Sequence, residues 1–190
     1  MDFEYRIRYA RPDDIDTILE MIRGDTFEPL EGKESRGTLI PLEREDVEPI
    51  VDRQHFFVAY LPRTGEIIGC ASYVQRDSSG EGRSIYVKNP YRGNGVARNL
   101  IGHVIREAYQ VADEIGRHLR VLARYGDLFE DMNFKEVIEF RRVHAGEMPR
   151  GYDLNDKIFA DCNRCPLKGP ACPETLFVYN LIRELHPRYL

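Results

Sequence analysis

The sequence predicts an α+β fold, a central and mostly antiparallel sheet flanked by helices, with one strand feeding a glycine-rich turn that opens a helix. Three observations predict it. Two apolar runs, Phe56 to Tyr60 and Ile67 to Val74, flank Pro62-Arg63-Thr64-Gly65, which is turn chemistry between antiparallel strands. A strand closing through Ser84-Ile85-Tyr86-Val87 runs by way of Asn89-Pro90 into Arg92-Gly93-Asn94-Gly95-Val96-Ala97. From Val96 onward Leu100, Val104 and Ala108 recur four apart, with Ala97, Ile101 and Ile105 beside them, so the turn leads into an amphipathic helix.

The other elements follow in order. Arg6 to Tyr9 reads as a short strand. Arg11-Pro12-Asp13-Asp14 then suits a helix start, and Ile15, Ile18, Leu19 and Ile22 repeat at helical spacing. Residues 24–41 mix Gly, Pro and charge without a period, as a loop or a broken helix would. A second helix is expected at about Glu43 to Arg53. Beyond the glycine turn, Leu119 to Ala123 and Glu136 to Phe140 read as strands on either side of a short helix, Asp127 to Met132, and Thr175 to Leu181 as the last strand.

A chain of 190 residues with 42% hydrophobic residues can bury one good core, so a single domain is expected. The 27 basic residues against 32 acidic ones are scattered, which argues against a nucleic-acid partner and for a small molecule. The first residues lack the apolar run of a signal peptide, and no stretch approaches a membrane span, so a cytoplasmic protein without a membrane partner is expected.

A strand-to-helix turn with glycine at 93 and 95 leaves backbone N–H groups unpaired at the positive end of a helix dipole, an arrangement that binds phosphate. Glycine lets the backbone approach the anion, and Ala97 keeps the helix start bare of bulk. There is no Gly-Lys-Ser/Thr ending of a P-loop, and Arg98 stands where a dinucleotide fingerprint has its third glycine. The segment Val87-Lys88-Asn89-Pro90-Tyr91-Arg92-Gly93-Asn94-Gly95-Val96-Ala97 resembles the acyl-CoA signature of the GNAT acetyltransferases. The likeness extends to the hairpin upstream and to Leu128 through Val137 downstream.

That resemblance implies the GNAT acyl-CoA N-acyltransferase fold, acetyl-CoA as co-substrate and transfer of its acetyl group to a primary amine. It implies a core over residues 1–140, and residues 141–190 as an extension whose cysteine-rich arm and final strand pack on the same domain. Tyr86, Val87, Arg92, Gly93, Asn94, Gly95, Val96 and Ala97 would hold the cofactor, with backbone N–H near Tyr86 or Val87 polarising the thioester carbonyl. Glu81 falls where relatives carry a glutamate acting as base through water. Strand alternation puts Arg83 on the same face, where it could meet an anionic substrate. Phe129 occupies the place of the family's usual acid tyrosine, so Tyr125, one helical turn earlier, is the candidate acid.

Within the family the chain is most similar to short N-acetylglutamate synthase-like acetyltransferases, through Gly37 to Pro41, Phe56 to Ala59, Leu128-Phe129, Met148-Pro149 and the tail Asp156 to Pro166. Leu42 replaces their usual arginine, and extra polar residues separate Pro149 from Asp156. A glutamate-like amine is the expected acceptor, and a homodimer stays open. A CoA-binding sensor and a protein N-terminal or lysine acetyltransferase are the other readings. Cys162, Cys165 and Cys172 have the short spacing of a zinc knuckle, with His144, His186 or Asp161 as conceivable fourth ligands. Reduced structural thiols are favoured over zinc there. Cys70 is expected in the core, and His55 and His103 in structural or solvated roles.

Overall fold

The hairpin around Pro62-Arg63-Thr64-Gly65 sits inside a seven-stranded sheet. The computed structural model describes residues 3–23, 42–75, 79–112, 118–123, 127–147, 169, 172 and 174–181. Its strands are β1 (Arg6–Tyr9), β2 (Phe56–Tyr60), β3 (Ile67–Gln75), β4 (Gly80–Val87), β5 (His118–Ala123), β6 (Lys135–Glu139) and β7 (Thr175–Asn180), in the order β1-β2-β3-β4-β5-β7-β6. Among the described strands only β4 and β5 pair in parallel, and every other neighbouring pair is antiparallel.

Helices cover both faces, which explains why β2 is apolar throughout. Phe56 and Val58 point to α1 (Ile15–Arg23) and α2 (Arg44–Asp52), packing with Ile15, Ile18, Val47 and Val51. Phe57 and Ala59 point the other way, to α3 (Val96–Gln110), and pack with Leu100, Ile101, Val104 and Ile105. The start of α1 is tied to β1: Arg8 grips the Asp14 carboxylate with both guanidinium nitrogens, and Arg11 N–H donates to it at 2.7 Å. Burial alone would raise the Asp14 pKa, but these donors hold it below its usual 3.8.

β7 lies between β5 and β6, placing Leu176, Phe177 and Tyr179 in the interior. Two short helices, α4 (Asp127–Glu130) and α5 (Phe140–His144), bracket β6. The short helix expected through Met132 ends at Glu130, and Asn133 takes the left-handed conformation (φ 66°) that turns the chain into β6. The strand expected through Phe140 stops at Glu139, where Arg141 folds back on the Glu139 carboxylate (2.7 and 2.8 Å) and Val143 drops among Ile138, Cys172 and Leu176. Among the described residues no helix is long and apolar enough to cross a membrane. The expected loop at residues 24–41, and Met148-Pro149 and Asp156 to Pro166, lie outside the described residues.

Candidate active site at the end of strands four and five

β4 carries a bulge that its sequence does not announce. Ser72 opposes Arg83 and Cys70 opposes Tyr86, so β4 spends one residue more than β3 over this stretch. Ser84 absorbs the difference with φ 54°, and its carbonyl accepts the buried Cys70 thiol at 3.2 Å. Burial pushes the Cys70 pKa up, so that thiol is a neutral core group. Across the bulge Gly69 is indispensable, since a Cβ there would meet the Tyr86 carbonyl oxygen at 2.8 Å. The consequence is a change of facing: Ile85 and Val87 turn toward α3, whereas Tyr86 turns toward α1 and α2, the face that also bears Glu81 and Arg83.

Pairing between β4 and β5 covers Gly80, Glu81 and Gly82 only, opposite Leu119, Arg120 and Val121. Past Gly82 the two parallel strands diverge and open a wedge at their C-terminal ends, where the chain enters the glycine turn. Gly82 itself sits tight beneath α3: a Cβ would lie 3.1 Å from Val121 and 3.3 Å from Val104.

The turn is built by its own side chains. Arg92 Nε donates to the Val87 carbonyl at 2.7 Å and its guanidinium lies 5.5 Å over the Tyr86 ring, which anchors the turn to the end of β4. Asn94 Nδ2 donates to the carbonyls of Tyr91 (3.2 Å) and Arg92 (3.1 Å). Gly93 and Gly95 hold φ 79° and 75°, and Gly95 caps α3. The first bond of α3 runs from Asn99 N–H to the Gly95 carbonyl, so the N–H groups of Val96, Ala97 and Arg98 precede the helical ladder and face the turn. A Cβ at 93 or 95 would meet nothing within 4 Å. Glycine is thus favoured by the positive φ, and the space in front of the turn is open.

Glu81 is 6% exposed, on the face away from α3, level with Val74 on β3 and Arg120 on β5. Arg83 is half-buried on the same face, its carbonyl held by Ser72 Oγ at 3.1 Å. Tyr86, Val87 and residues 92–97 thus lie along one end of β4, with Glu81 and Arg83 at the closed end of the wedge. Arg120 was not singled out from the sequence, because a parallel register has no local signal. Phe129 is core, 6% exposed, stacked on Phe177 at 5.6 Å and edge-on to Phe134 at 5.4 Å. Tyr125, Cys162, Cys165 and His186 lie outside the described residues, and Cys172 is buried beside Leu176. His103 and His55 are half-buried, 5.4 Å from the Phe57 ring and 5.3 Å from the Tyr73 ring, and burial lowers the pKa of both. A cavity of about 440 Å³ lies on the β1 side of α3, between Phe3, Tyr5, Ile7, Asn99, His103 and Arg106. It contains no residue of the glycine turn or wedge and is a separate feature.

Residues 52–136 match the family model described as acetyltransferase (GNAT) domain. The matched stretch runs from the end of α2 to β6 and includes β4, the glycine turn and α3. Comparison with curated proteins finds no match. Among solved structures, the GNAT fold is shared with Rv2747 from Mycobacterium tuberculosis in complex with CoA and NLQ, at TM-score 0.66 and 20% identity over 92% of this chain and 98% of that one. It is shared with N-acetylglutamate synthase from Neisseria gonorrhoeae complexed with coenzyme A and N-acetyl-glutamate, at TM-score 0.64 and 23% identity over 95% of this chain. This chain spans 36% of that synthase's length. A third neighbour is yncA of Salmonella typhimurium, a putative acetyltransferase with its cofactor acetyl-CoA, at TM-score 0.59 and 16% identity over 97% of this chain and 98% of that one. At these identities the neighbours establish the fold.

Proposed function

We propose that this GNAT domain acetylates a primary amine of a small molecule in the cytoplasm, the α-amine of glutamate or a related amino acid, with no nucleic-acid or membrane partner. The observation that carries the reading is the buried Glu81 beside Arg83, set at the closed end of a wedge whose open end is the glycine turn. Acetyl-CoA supplies an activated acyl group. The backbone of residues 92–97 holds its pyrophosphate, and backbone N–H near Tyr86 or Val87 polarises the thioester carbonyl. Glu81 takes a proton from the acceptor ammonium, through water if not directly, and Arg83 orients an anionic group of the acceptor. The transfer forms the bond between acceptor nitrogen and acetyl carbon and breaks the carbon–sulfur bond. The sulfur leaves as thiolate or takes a proton from Tyr125, and the second proton, shed by the nitrogen once it is acetylated, passes through water to the thiolate or to the tyrosine oxygen.

A panel of amino acids and other amines with acetyl-CoA, followed by release of free CoA, tests the reading. Turnover with acidic amino acids is expected; turnover only with peptide amines would overturn it. A CoA-binding sensor is the second reading, favoured by Phe129, whose buried ring has no hydroxyl to give the sulfur. A sensor would bind CoA in calorimetry and release none from acetyl-CoA with any amine.

A further inference from the structure

We propose that Glu66 is a positioning residue for the cofactor turn: from the tip of the β2–β3 hairpin its carboxylate holds the segment that leads into residues 92–97, so that CoA meets a turn already ordered. The inference rests on the proposed seat of the pyrophosphate on that turn. Glu66 is itself fixed by the hairpin, its carbonyl accepting Leu61 N–H at 2.9 Å and its N–H donating to Thr64 Oγ1 at 3.2 Å. Its side chain reaches across to the chain beyond β4. There Lys88 Nζ donates to Oε1 and the Tyr91 hydroxyl donates to Oε2, each at 3.0 Å. The two donors bracket the single helical turn Asn89–Tyr91, which ends on Arg92, where the cofactor turn begins.

From Tyr91 the hold continues into the turn. The Tyr91 ring stacks on Phe3 at 5.7 Å, and its carbonyl accepts Asn94 Nδ2 at 3.2 Å, so the residue that Glu66 fixes is one on which Asn94 closes the loop. A turn of this composition depends on such anchors. Residues 92–95 are exposed, and glycines at 93 and 95 have more conformational freedom to lose than other residues. Whatever order the free protein lacks must be gained on binding, and affinity falls with the fraction of molecules in the competent conformation. The Lys88 ammonium and the Tyr91 hydroxyl hold the Glu66 carboxyl below its usual 4.5, so the carboxylate is charged and both bonds stand at neutral pH. Glu66 and Lys88 are 41% and 30% exposed, a setting in which an ion pair adds little to global stability. The loss of Glu66 should therefore register in the order of the turn and in CoA affinity, with little change in melting temperature.

The test is calorimetry of CoA binding to the full chain in wild type, E66A, E66Q and Y91F, with melting curves and hydrogen exchange of the amides of residues 92–97. E66A is expected to weaken CoA binding by about threefold to tenfold and to leave the melting temperature within about 2 °C of wild type. It should speed exchange at residues 92–97 in the CoA-free protein and not in the complex. E66Q keeps one acceptor oxygen and should lose less. Y91F removes one donor while keeping the ring on Phe3; it should weaken binding by about twofold or more, and it carries the test alone if E66A does not fold. Combined with E66A it should add almost nothing, since both changes remove the same bond. Unchanged CoA affinity in folded E66A, or a rise as Lys88 is released toward the phosphates, would overturn the assignment. So would losses that simply add in the double variant. A wild type that binds no CoA would overturn the seat of the pyrophosphate as well.

Discussion

Glu81 illustrates how much one residue's chemistry depends on its seat. A carboxylate with 6% exposure and a role as base should be sensitive to loss of charge at nearly constant shape. Glu81→Gln is expected to lower kcat about a hundredfold or more while CoA affinity measured by calorimetry stays within twofold of wild type, about the leverage of one general base. A variant with wild-type turnover and an unshifted pH profile would move the role to ordered water or another carboxylate. Asp14 makes a different prediction. Its folded pKa is lowered, so its contribution to stability is full above the ordinary value of 3.8 and is lost as pH falls through the lower folded value. Asp14→Asn should therefore cost about 1 kcal/mol in urea unfolding at pH 7, and the gap to wild type should narrow toward pH 3. A gap independent of pH would mean that packing rather than charge ties β1 to α1.

At the scale of the element, the glycine turn and α3 act together. Gly95 is the left-handed cap of α3, and the space in front of it is open. Gly95→Val adds a β-branched side chain at φ 75°, where such residues are strained, and projects it into the open space the pyrophosphate needs. CoA affinity in calorimetry is expected to fall by about a hundredfold or more, a loss greater than the fall in stability would explain. Retained affinity in a folded variant would remove residues 92–97 from the cofactor site. The bulge at Ser84 is the second device at this scale. It turns Tyr86 beneath the Arg92 guanidinium, so the strand's irregularity and the turn's anchor are one arrangement.

At the scale of the whole molecule, β7 closes the structure. It pairs on both sides, with β5 and with β6, and its Phe177 ring stacks on Phe129 in the core under α3. Phe177→Ala should destabilise the protein by about 3–5 kcal/mol in urea unfolding, as expected for a large buried aromatic. A cost under about 1 kcal/mol would show that the β5–β6 half holds together without that ring. Cys172, reached just before β7, is buried with Ile138, Val143 and Leu176, a setting for a packed thiol.

Local chemistry alone determined the hairpin, the strand that enters the glycine turn, the start of α3 and the left-handed conformation of Gly93 and Gly95. Each is dictated within a few residues, by periodicity, turn residues and the needs of positive φ. The place of Glu81 and Arg83 on one face was equally legible, because alternation along a strand needs no partner. What only the tertiary structure decided are the non-local relations. The insertion of β7 between β5 and β6 brings together residues far apart in the chain. The bulge at Ser84 answers the close approach of Gly69, and the register that sets Arg120 beside Glu81 depends on where a parallel partner lands. Pairing register and strand order are settled by which faces can be buried at once, and that is a property of the assembled core, of which no single segment carries a record.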